Sequence, residues 1–159
     1  MSTAATELDR IERHIEIDAT AERVWELVSR PGWWINEGTV DPDPDVRQDG
    51  DLTVVSHPKY GIFRLRTVTT DHPSYVAFRW LEQTSDGDGD GDGDGEAPST
   101  LVEFWITERD GGVTLTVVES GFTGLGKERA AVVDHVQENT AGWETELTAA
   151  RTFVESASR

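Results

Sequence analysis

Hydrophobic and polar residues alternate near the start of the chain, a pattern that predicts a β-strand with one buried face. In the segment IERHIEI, Ile11, Ile15 and Ile17 lie on one side together with Arg13, and the residues between them are polar. Successive side chains of a strand point to opposite faces, so this spacing places the three isoleucines together. We expect them to pack against the interior of the protein.

Two short helices are predicted after this strand. Thr20 can cap the first of them, and the apolar residues Val24, Leu27 and Val28 then recur at helical spacing. A Pro-Gly pair ends this helix. The segment WWINEG that follows, at 33–38, predicts a second short helical turn.

From there to residue 120, short runs rich in β-branched and aromatic residues are separated by residues that favour turns. The segment DPDPDVRQDGD, at 41–51, is interpreted as turn-forming. Links as short as PKY and RDGG join the runs, and such links favour an antiparallel meander of five or six strands. The strand candidates are LTVVSH, GIFRLRTVTT, YVAFRWLEQ, TLVEFWITE and VTLTVVES.

The C-terminal part of the chain predicts one long amphipathic helix. Its mostly apolar stripe recurs at spacings of three and four residues over roughly seven turns, with no intervening proline. Gly142 is a weak point in this helix and a place where a neighbouring group could pack closely. The helix can cover the apolar face of the sheet, so the predicted fold class is α+β. The recurring residues are Val133, Val136, Thr140, Trp143, Leu147, Ala150 and Val154.

Three segments frame nearly the whole chain: IERHIEIDATAERVWELVSR, GGVTLTVVESGF and NTAGWETELTAARTFVE. In these segments, with their Val24-Trp25 and Gly142-Trp143 pairs, the chain resembles the START-like, or helix-grip, superfamily (SRPBCC). It is more closely similar to the family named for homology to the activator of the heat-shock protein 90 ATPase. The resemblance implies a single domain over residues 1–159, in which a strongly curved antiparallel sheet wraps around the C-terminal helix.

The same resemblance implies a cavity between sheet and helix that binds a small hydrophobic or amphipathic molecule. Two alternatives remain within the superfamily: a polyketide cyclase-like or dehydratase-like enzyme, and a co-chaperone-like interaction domain with a chaperone partner. We expect a binding protein rather than an enzyme, assign no catalytic residue, and expect a monomer or a homodimer.

An acidic repeat, SDGDGDGDGDGE at 85–96, raises the question of a calcium loop. Starting the loop pattern at Asp86, Asp88 or Asp90 places Ala, Ser or Leu at its twelfth position, where a bidentate Glu is required. Repeated glycines and adjacent like charges disfavour an ordered backbone. We therefore interpret residues 85–98 as a flexible hairpin loop without a metal site.

Composition and charge exclude several classes of function. The formal net charge is −17, from 31 acidic and 14 basic residues, which disfavours nucleic acid and anionic membrane surfaces as partners. The chain has no cysteine and no apolar run long enough to span a membrane. Its N-terminus, MSTAATELDR, lacks the features of a secretory signal, so we expect a cytoplasmic protein.

Five tryptophans are candidates for the walls of the cavity, because indole rings offer large, rigid contact area to an apolar ligand. The alternative is ordinary packing in the core. Trp33 and Trp34 follow a helix break, which favours a place at the cavity entrance. Trp80 and Trp105 lie in predicted strands, which favours the core. These residues are Trp33, Trp34, Trp80, Trp105 and Trp143.

Glu119 is the polar residue predicted to point inward. It continues the series of apolar residues at every second position of VTLTVVES and so shares their inward face. A carboxylate there could act as an acid, a base or an anchor for a ligand. Asn139 is the second polar group predicted to orient the ligand. Arg64 and Arg66 are expected in solvent, with an inward arginine paired to Glu119 as the alternative.

The four histidines show no metal-binding spacing, and neither a metal nor another cofactor is predicted. His57, next to the turn HPKY, is the histidine selected for a role in the cavity. Val136 and Thr140 join the set because they share the helix stripe with Trp143. The predicted ligand-binding residues are Trp33, Trp34, His57, Trp80, Trp105, Glu119, Val136, Asn139, Thr140 and Trp143.

Overall fold

The structure is a computed structural model that describes residues 10–36, 38–41, 44–81, 99–122 and 129–157. The acidic repeat and the predicted loop at 85–98 lie outside the described residues. Strand β6 begins directly after that loop, at Ser99. The prediction for this loop therefore stays a prediction.

Seven strands form one antiparallel sheet in the described residues, and two helices accompany it. The strand order is β1-β7-β6-β5-β4-β3-β2. Strands β2 to β7 therefore form a six-stranded meander, and its last strand, β7, pairs with β1. This confirms the predicted α+β class. The elements are β1 (Arg10–Ile17), α1 (Ala21–Val28), β2 (Asp45–Asp49), β3 (Leu52–His57), β4 (Gly61–Asp71), β5 (Tyr75–Leu81), β6 (Ser99–Arg109), β7 (Gly112–Ser120) and α2 (Arg129–Ala157).

The alternation at the start of the chain forms β1 as predicted. Ile11 and Ile17 are buried, and Ile15 between them is half-buried against the core. In the pairing with β7, Ile11 lies opposite Glu119 and Ile17 lies opposite Val113. The first strand thereby closes one side of the sheet.

Helix α1 begins at the predicted cap. The side chain of Thr20 accepts a hydrogen bond from the backbone N–H of Arg23 at 3.2 Å, which satisfies one of the free donors of the first turn. Val24, Leu27 and Val28 are buried, so the apolar stripe faces the core. The helix is amphipathic in the manner that its sequence predicts.

The predicted second short helix is wrong: one short helix follows β1 in the described residues, and residues 31–34 form turns. Pro31 has no backbone N–H, and Gly32 has a φ of +79°, outside the right-handed helical region. A Cβ on Gly32 would lie 2.8 Å from Cγ2 of Val55, so the backbone approaches β3 more closely than another residue allows. The turn buries the side chains of both Trp33 and Trp34.

The segment at 41–51 contains a strand that the sequence interpretation missed. Strand β2 pairs with β3, and Asp49 lies opposite Leu52 across a tight turn that contains Gly50 at a φ of +65°. All five residues of β2 are exposed, so no hydrophobic alternation marks the strand in the sequence. The meander thus has six strands, the higher of the two predicted numbers.

The core lies between the inner face of the sheet and the two helices. Helix α2 packs against β1 and α1, and Trp143, Leu147, Ala150 and Val154 are its buried residues among those predicted. A register shift in the pairing of β4 with β5, between Thr67 and Thr69, marks a bulge that bends the sheet locally. Neither helix, over its described residues, has an apolar stretch sufficient to cross a lipid bilayer.

Phe104 offers a test of this core, because its side chain is fully buried and contacts four other aromatic rings. We expect Phe104→Ala to lower the free energy of unfolding by about 3–5 kcal/mol through lost burial and a residual cavity. Urea denaturation followed by circular dichroism measures the change.

The matched control is Val46→Ala in β2, where the side chain is 42% exposed. We expect that change to stay within about 0.5 kcal/mol. Equal effects of the two substitutions would contradict the placement of Phe104 at the centre of the core.

Candidate functional site

A cavity of about 740 Å³ lies between helix α2 and the sheet. Its volume falls within the range of about 300–1,000 Å³ that is typical of small-molecule sites. The walls come from four strands, from the segment Trp34–Asn36, from Tyr60 in the β3–β4 turn and from α2. The lining strand residues are Phe63, Trp80, Leu81, Thr100 and Glu119.

Helix α2 supplies one continuous face to this cavity. The lining positions repeat at alternating intervals of three and one, which is one side of an α-helix. Gly142 is among them, and a Cβ built on it meets no atom within 4 Å. The expectation of a close neighbour at Gly142 is therefore wrong, because open space adjoins this glycine. The lining residues of α2 are Ala131, Asp134, His135, Glu138, Asn139, Gly142, Trp143 and Glu146.

Trp34 stands at the centre of the aromatic part of the wall. Its ring centroid lies 5.4 Å from that of Trp80 and 5.5 Å from that of Trp143, in tilted and edge-on arrangements that aromatic rings prefer. The indole N–H groups of Trp33 and Trp34 are buried without a hydrogen-bond partner among the described residues. Such a group costs about 1–3 kcal/mol, so ring packing rather than hydrogen bonding fixes these side chains.

Glu119 is the polar centre of the cavity and is only 1% exposed. Its Oε2 accepts a hydrogen bond from Oγ1 of Thr100 at 2.6 Å. Its Oε1 accepts one from Nδ2 of Asn139 at 3.0 Å and one from Nε1 of Trp143 at 2.9 Å. Because a carboxyl group loses its hydration on burial, such donors are what allow it to stay inside. The network joins β6, β7 and α2.

Glu146 forms a second buried anchor, one turn of helix beyond Trp143. Its Oε1 accepts from Nδ2 of Asn36 at 3.2 Å, and its Oε2 accepts from the backbone N–H of Gly38 at 3.0 Å. Nδ2 of Asn36 also donates to the carbonyl oxygen of Trp33 at 2.7 Å. Glu146 therefore ties the loop that carries the two tryptophans to helix α2.

Burial raises the pKa of Glu146 above its ordinary value of 4.5. The hydrogen bonds from Asn36 and Gly38 and the nearby His57 act in the opposite direction, but desolvation is the larger effect. The folded protein consequently holds a proton at this site more tightly than the unfolded chain does.

Five predicted site residues come together at the cavity. Sequence alternation predicts the inward position of Glu119, and the helix stripe predicts that of Trp143. The same cavity wall includes Asn139 from the helix, together with Trp34 and Trp80. The five are Trp34, Trp80, Glu119, Asn139 and Trp143.

The other five predicted residues do not line the cavity. Trp33 is 5% exposed and packs in the core against Phe104, with 5.5 Å between ring centroids. Trp105 follows Phe104 in β6 and so points to the opposite face of the sheet. There it contacts Tyr75, with 5.1 Å between the ring centroids. Val136 and Thr140 are half-buried on the neighbouring face of α2, where Oγ1 of Thr140 donates to the carbonyl of Val136.

His57 contributes to the site through its neighbour. Its Nδ1 accepts hydrogen bonds from the backbone N–H groups of Lys59 and Tyr60 at 3.0 and 3.2 Å. Its ring stacks on that of Tyr60, with the centroids 4.6 Å apart, and Tyr60 lines the cavity. His57 is therefore a residue that shapes the wall. Arg64 is exposed, in agreement with the expected solvent position, whereas Arg66 is half-buried.

Several lining residues were missed by the sequence interpretation. Tyr60 lies in the β3–β4 turn and Phe63 lies just after it, and the sequence does not specify the geometry of this turn. His135 on helix α2 also lines the cavity. Glu146 follows Trp143 by three positions and thus continues its helix face, a signal that could have identified it. Among the described residues, no group of three or more His, Asp or Glu side chains is arranged to hold a metal ion.

No protein-family model and no curated protein matches this sequence. Many solved structures do. A crystal structure of a Mesorhizobium loti protein has a TM-score of 0.65 at 15% identity and covers 92% of this chain and 97% of that one. The Aha1 dimer of Colwellia psychrerythraea has a TM-score of 0.61 at 12% identity, over 92% of this chain and 96% of that one.

A third similar structure is the Zhui aromatase/cyclase of a Streptomyces species. It has a TM-score of 0.59 at 17% identity, over 94% of this chain and 95% of that one. Such proteins have the helix-grip, or SRPBCC, fold. The chain therefore has the helix-grip fold as well, and at these identities the likeness extends to the fold alone.

The raised pKa of Glu146 predicts a pH dependence of stability. The folded state binds the proton more tightly, so the contribution of this group to stability is present at low pH and declines as pH rises from 4.5 through the folded-state pKa. We expect Glu146→Gln to remove this decline. The free energy of unfolding of the variant, relative to that of the parent, should thus increase as the pH rises from 4.5 through the folded-state pKa.

Urea unfolding at a series of pH values measures this difference. Glu144→Gln is the control, because Glu144 lies on the same helix with an exposed side chain that pairs with Arg13. If the two variants changed in parallel with pH, desolvation of Glu146 would not be the source of the effect.

Proposed function

We propose that this protein binds a small hydrophobic or amphipathic molecule in the cavity between the sheet and helix α2. The observation that supports this most directly is a cavity of about 740 Å³ whose wall combines aromatic rings with two buried carboxylates. Concave apolar sites with a few convergent polar groups are the usual form of small-molecule sites.

Burial of the apolar surface of the ligand would provide the affinity. Each 100 Å² of apolar surface removed from water contributes about 2.5 kcal/mol. Trp80 and Phe63 are half-buried, so their rings keep surface available to a guest. Trp34 and Trp143 support them from behind and keep the wall rigid, which limits the entropy lost on binding.

The buried polar groups would orient the ligand. Both oxygens of Glu119 already accept hydrogen bonds from protein donors, so its network forms a rigid floor before any ligand enters. Asn139 belongs to this network and also lines the cavity. Its remaining hydrogen-bonding capacity is the handle that a polar group of the ligand would use.

The two alternative roles lack an observation of this kind. The similar structures include an Aha1 dimer and an aromatase/cyclase, so the fold is compatible with several activities. An enzymatic role would rely on Glu119 as acid or base, and the hydrogen bonds to both of its oxygens favour an anchoring role instead. Binding is therefore the function that we propose.

Gly142 allows the cavity to be filled without damage to the fold. We expect Gly142→Leu to weaken binding of Nile red, an uncharged apolar dye, by at least about tenfold, because the new side chain occupies the cavity. The same change should raise the melting temperature, because Leu favours a helix over Gly by nearly 1 kcal/mol. Dye fluorescence and thermal denaturation measure the two effects.

Ala141→Leu is the matched control, since Ala141 is exposed on the same helix and does not line the cavity. We expect this variant to bind the dye as the parent does. Dye binding that survives Gly142→Leu would place the dye elsewhere on the protein, and native mass spectrometry of the purified parent then remains the direct search for a natural ligand.

A further inference from the structure

Acidic side chains line the cavity without a lysine or arginine among the described residues, a feature that an uncharged ligand would not use. Four side chains that line it are carboxylic acids: Glu119, Asp134, Glu138 and Glu146. None of the described lining residues is a lysine or an arginine. A positively charged group inside such a cavity is attracted, and a negatively charged one is repelled.

The four acids are graded in depth. Glu119 and Glu146 are 1% and 7% exposed and lie in the floor, where protein donors already hold them. Asp134 and Glu138 are exposed and occupy successive turns of helix α2. Like charges four residues apart destabilise a helix, so this pair does not contribute to the stability of α2.

Aromatic rings form the part of the wall contributed by the sheet. Phe63 and Trp80 are half-buried, with 6.3 Å between their ring centroids. The faces of such rings attract ammonium groups, and indole does so most strongly. Tyr60 already shows this preference, because Nζ of Lys59 lies 5.5 Å from its ring centroid. The rings of Phe63 and Trp80 are the ones left to a ligand.

We propose that the cavity binds an organic cation, an apolar molecule that carries a protonated amine or a quaternary ammonium group. This inference rests on the proposed function, because it specifies the ligand of the same cavity. The ammonium group lies between the carboxylates of Asp134 and Glu138 on α2 and the ring of Trp80 on β5. The apolar body extends towards Leu81 and the tryptophans behind it.

Three probes with the same alkyl chain test this inference: dodecyltrimethylammonium, dodecan-1-ol and dodecanoate, each below its micelle concentration. Isothermal titration calorimetry at physiological ionic strength and neutral pH gives their dissociation constants. We expect the ammonium compound to bind about tenfold more tightly than the alcohol, and the carboxylate to bind more weakly than both, because only the head group differs.

The large negative charge of the whole protein attracts any cation, so a matched pair of variants separates the cavity from the surface. Asp134→Asn combined with Glu138→Gln removes two exposed carboxylates at the cavity. Glu16→Gln combined with Glu144→Gln removes two exposed carboxylates elsewhere. Both variants change the formal net charge of −17 by the same amount.

We expect the first variant to reduce the preference for ammonium over alcohol by about threefold to tenfold and the second to leave it unchanged. Thermal denaturation checks that both variants fold. Equal losses in the two variants would mean general surface attraction and would overturn the inference.

The remaining outcomes distinguish this inference from the proposed function. If the alcohol or the carboxylate binds as tightly as the ammonium compound, the cation preference is overturned and ligand binding stands. If none of the three binds, while Nile red is also excluded from the parent protein, both proposals are overturned.

Discussion

The buried carboxylate of Glu119 connects the two layers of the fold. It lies on β7 and accepts hydrogen bonds from Thr100 on β6 and from Asn139 and Trp143 on α2. Removal of a carboxylate from water costs several kcal/mol, and the penalty is offset only when these donors keep their positions. The helix therefore meets the sheet in one register at this point, and the space beside the contact becomes the cavity.

Glu146 repeats the same principle one turn further along the helix, with a different partner. It holds the loop that contains Asn36 and Gly38, and this loop delivers Trp34 to the aromatic wall. One carboxylate thus positions the helix on the sheet, and the other positions the loop on the helix. Between them they determine which rings border the cavity.

Local patterns predicted the parts of the structure that depend on local geometry. Alternation predicted β1 and the inward direction of Glu119, since strand side chains change sides at every residue. Helical spacing predicted α1, its cap at Thr20, and the buried side of α2 near Trp143. The α+β class followed from the order of these elements, and the resemblance to helix-grip proteins added the space between sheet and helix.

Contacts between distant residues could not be predicted in this way. Asn36 and Glu146 are 110 positions apart, and no spacing rule connects them. The failed helix at 33–38 depends on the close approach of Gly32 to Val55, which also belongs to the tertiary structure. Trp33 and Trp34 look alike in the sequence, but the turn sends one ring into the core and the other to the cavity.

Strand β2 has a consequence for the behaviour of the protein at high concentration. It stands last in the strand order, and all of its five residues, DVRQD, are exposed. A sheet edge is the place where a foreign strand can add and start a fibril, and charged side chains along an edge oppose such addition. A second copy that approached β2 would bring its own large negative charge towards Asp45 and Asp49. Electrostatic repulsion at this edge therefore protects the open end of the meander against strand-by-strand aggregation.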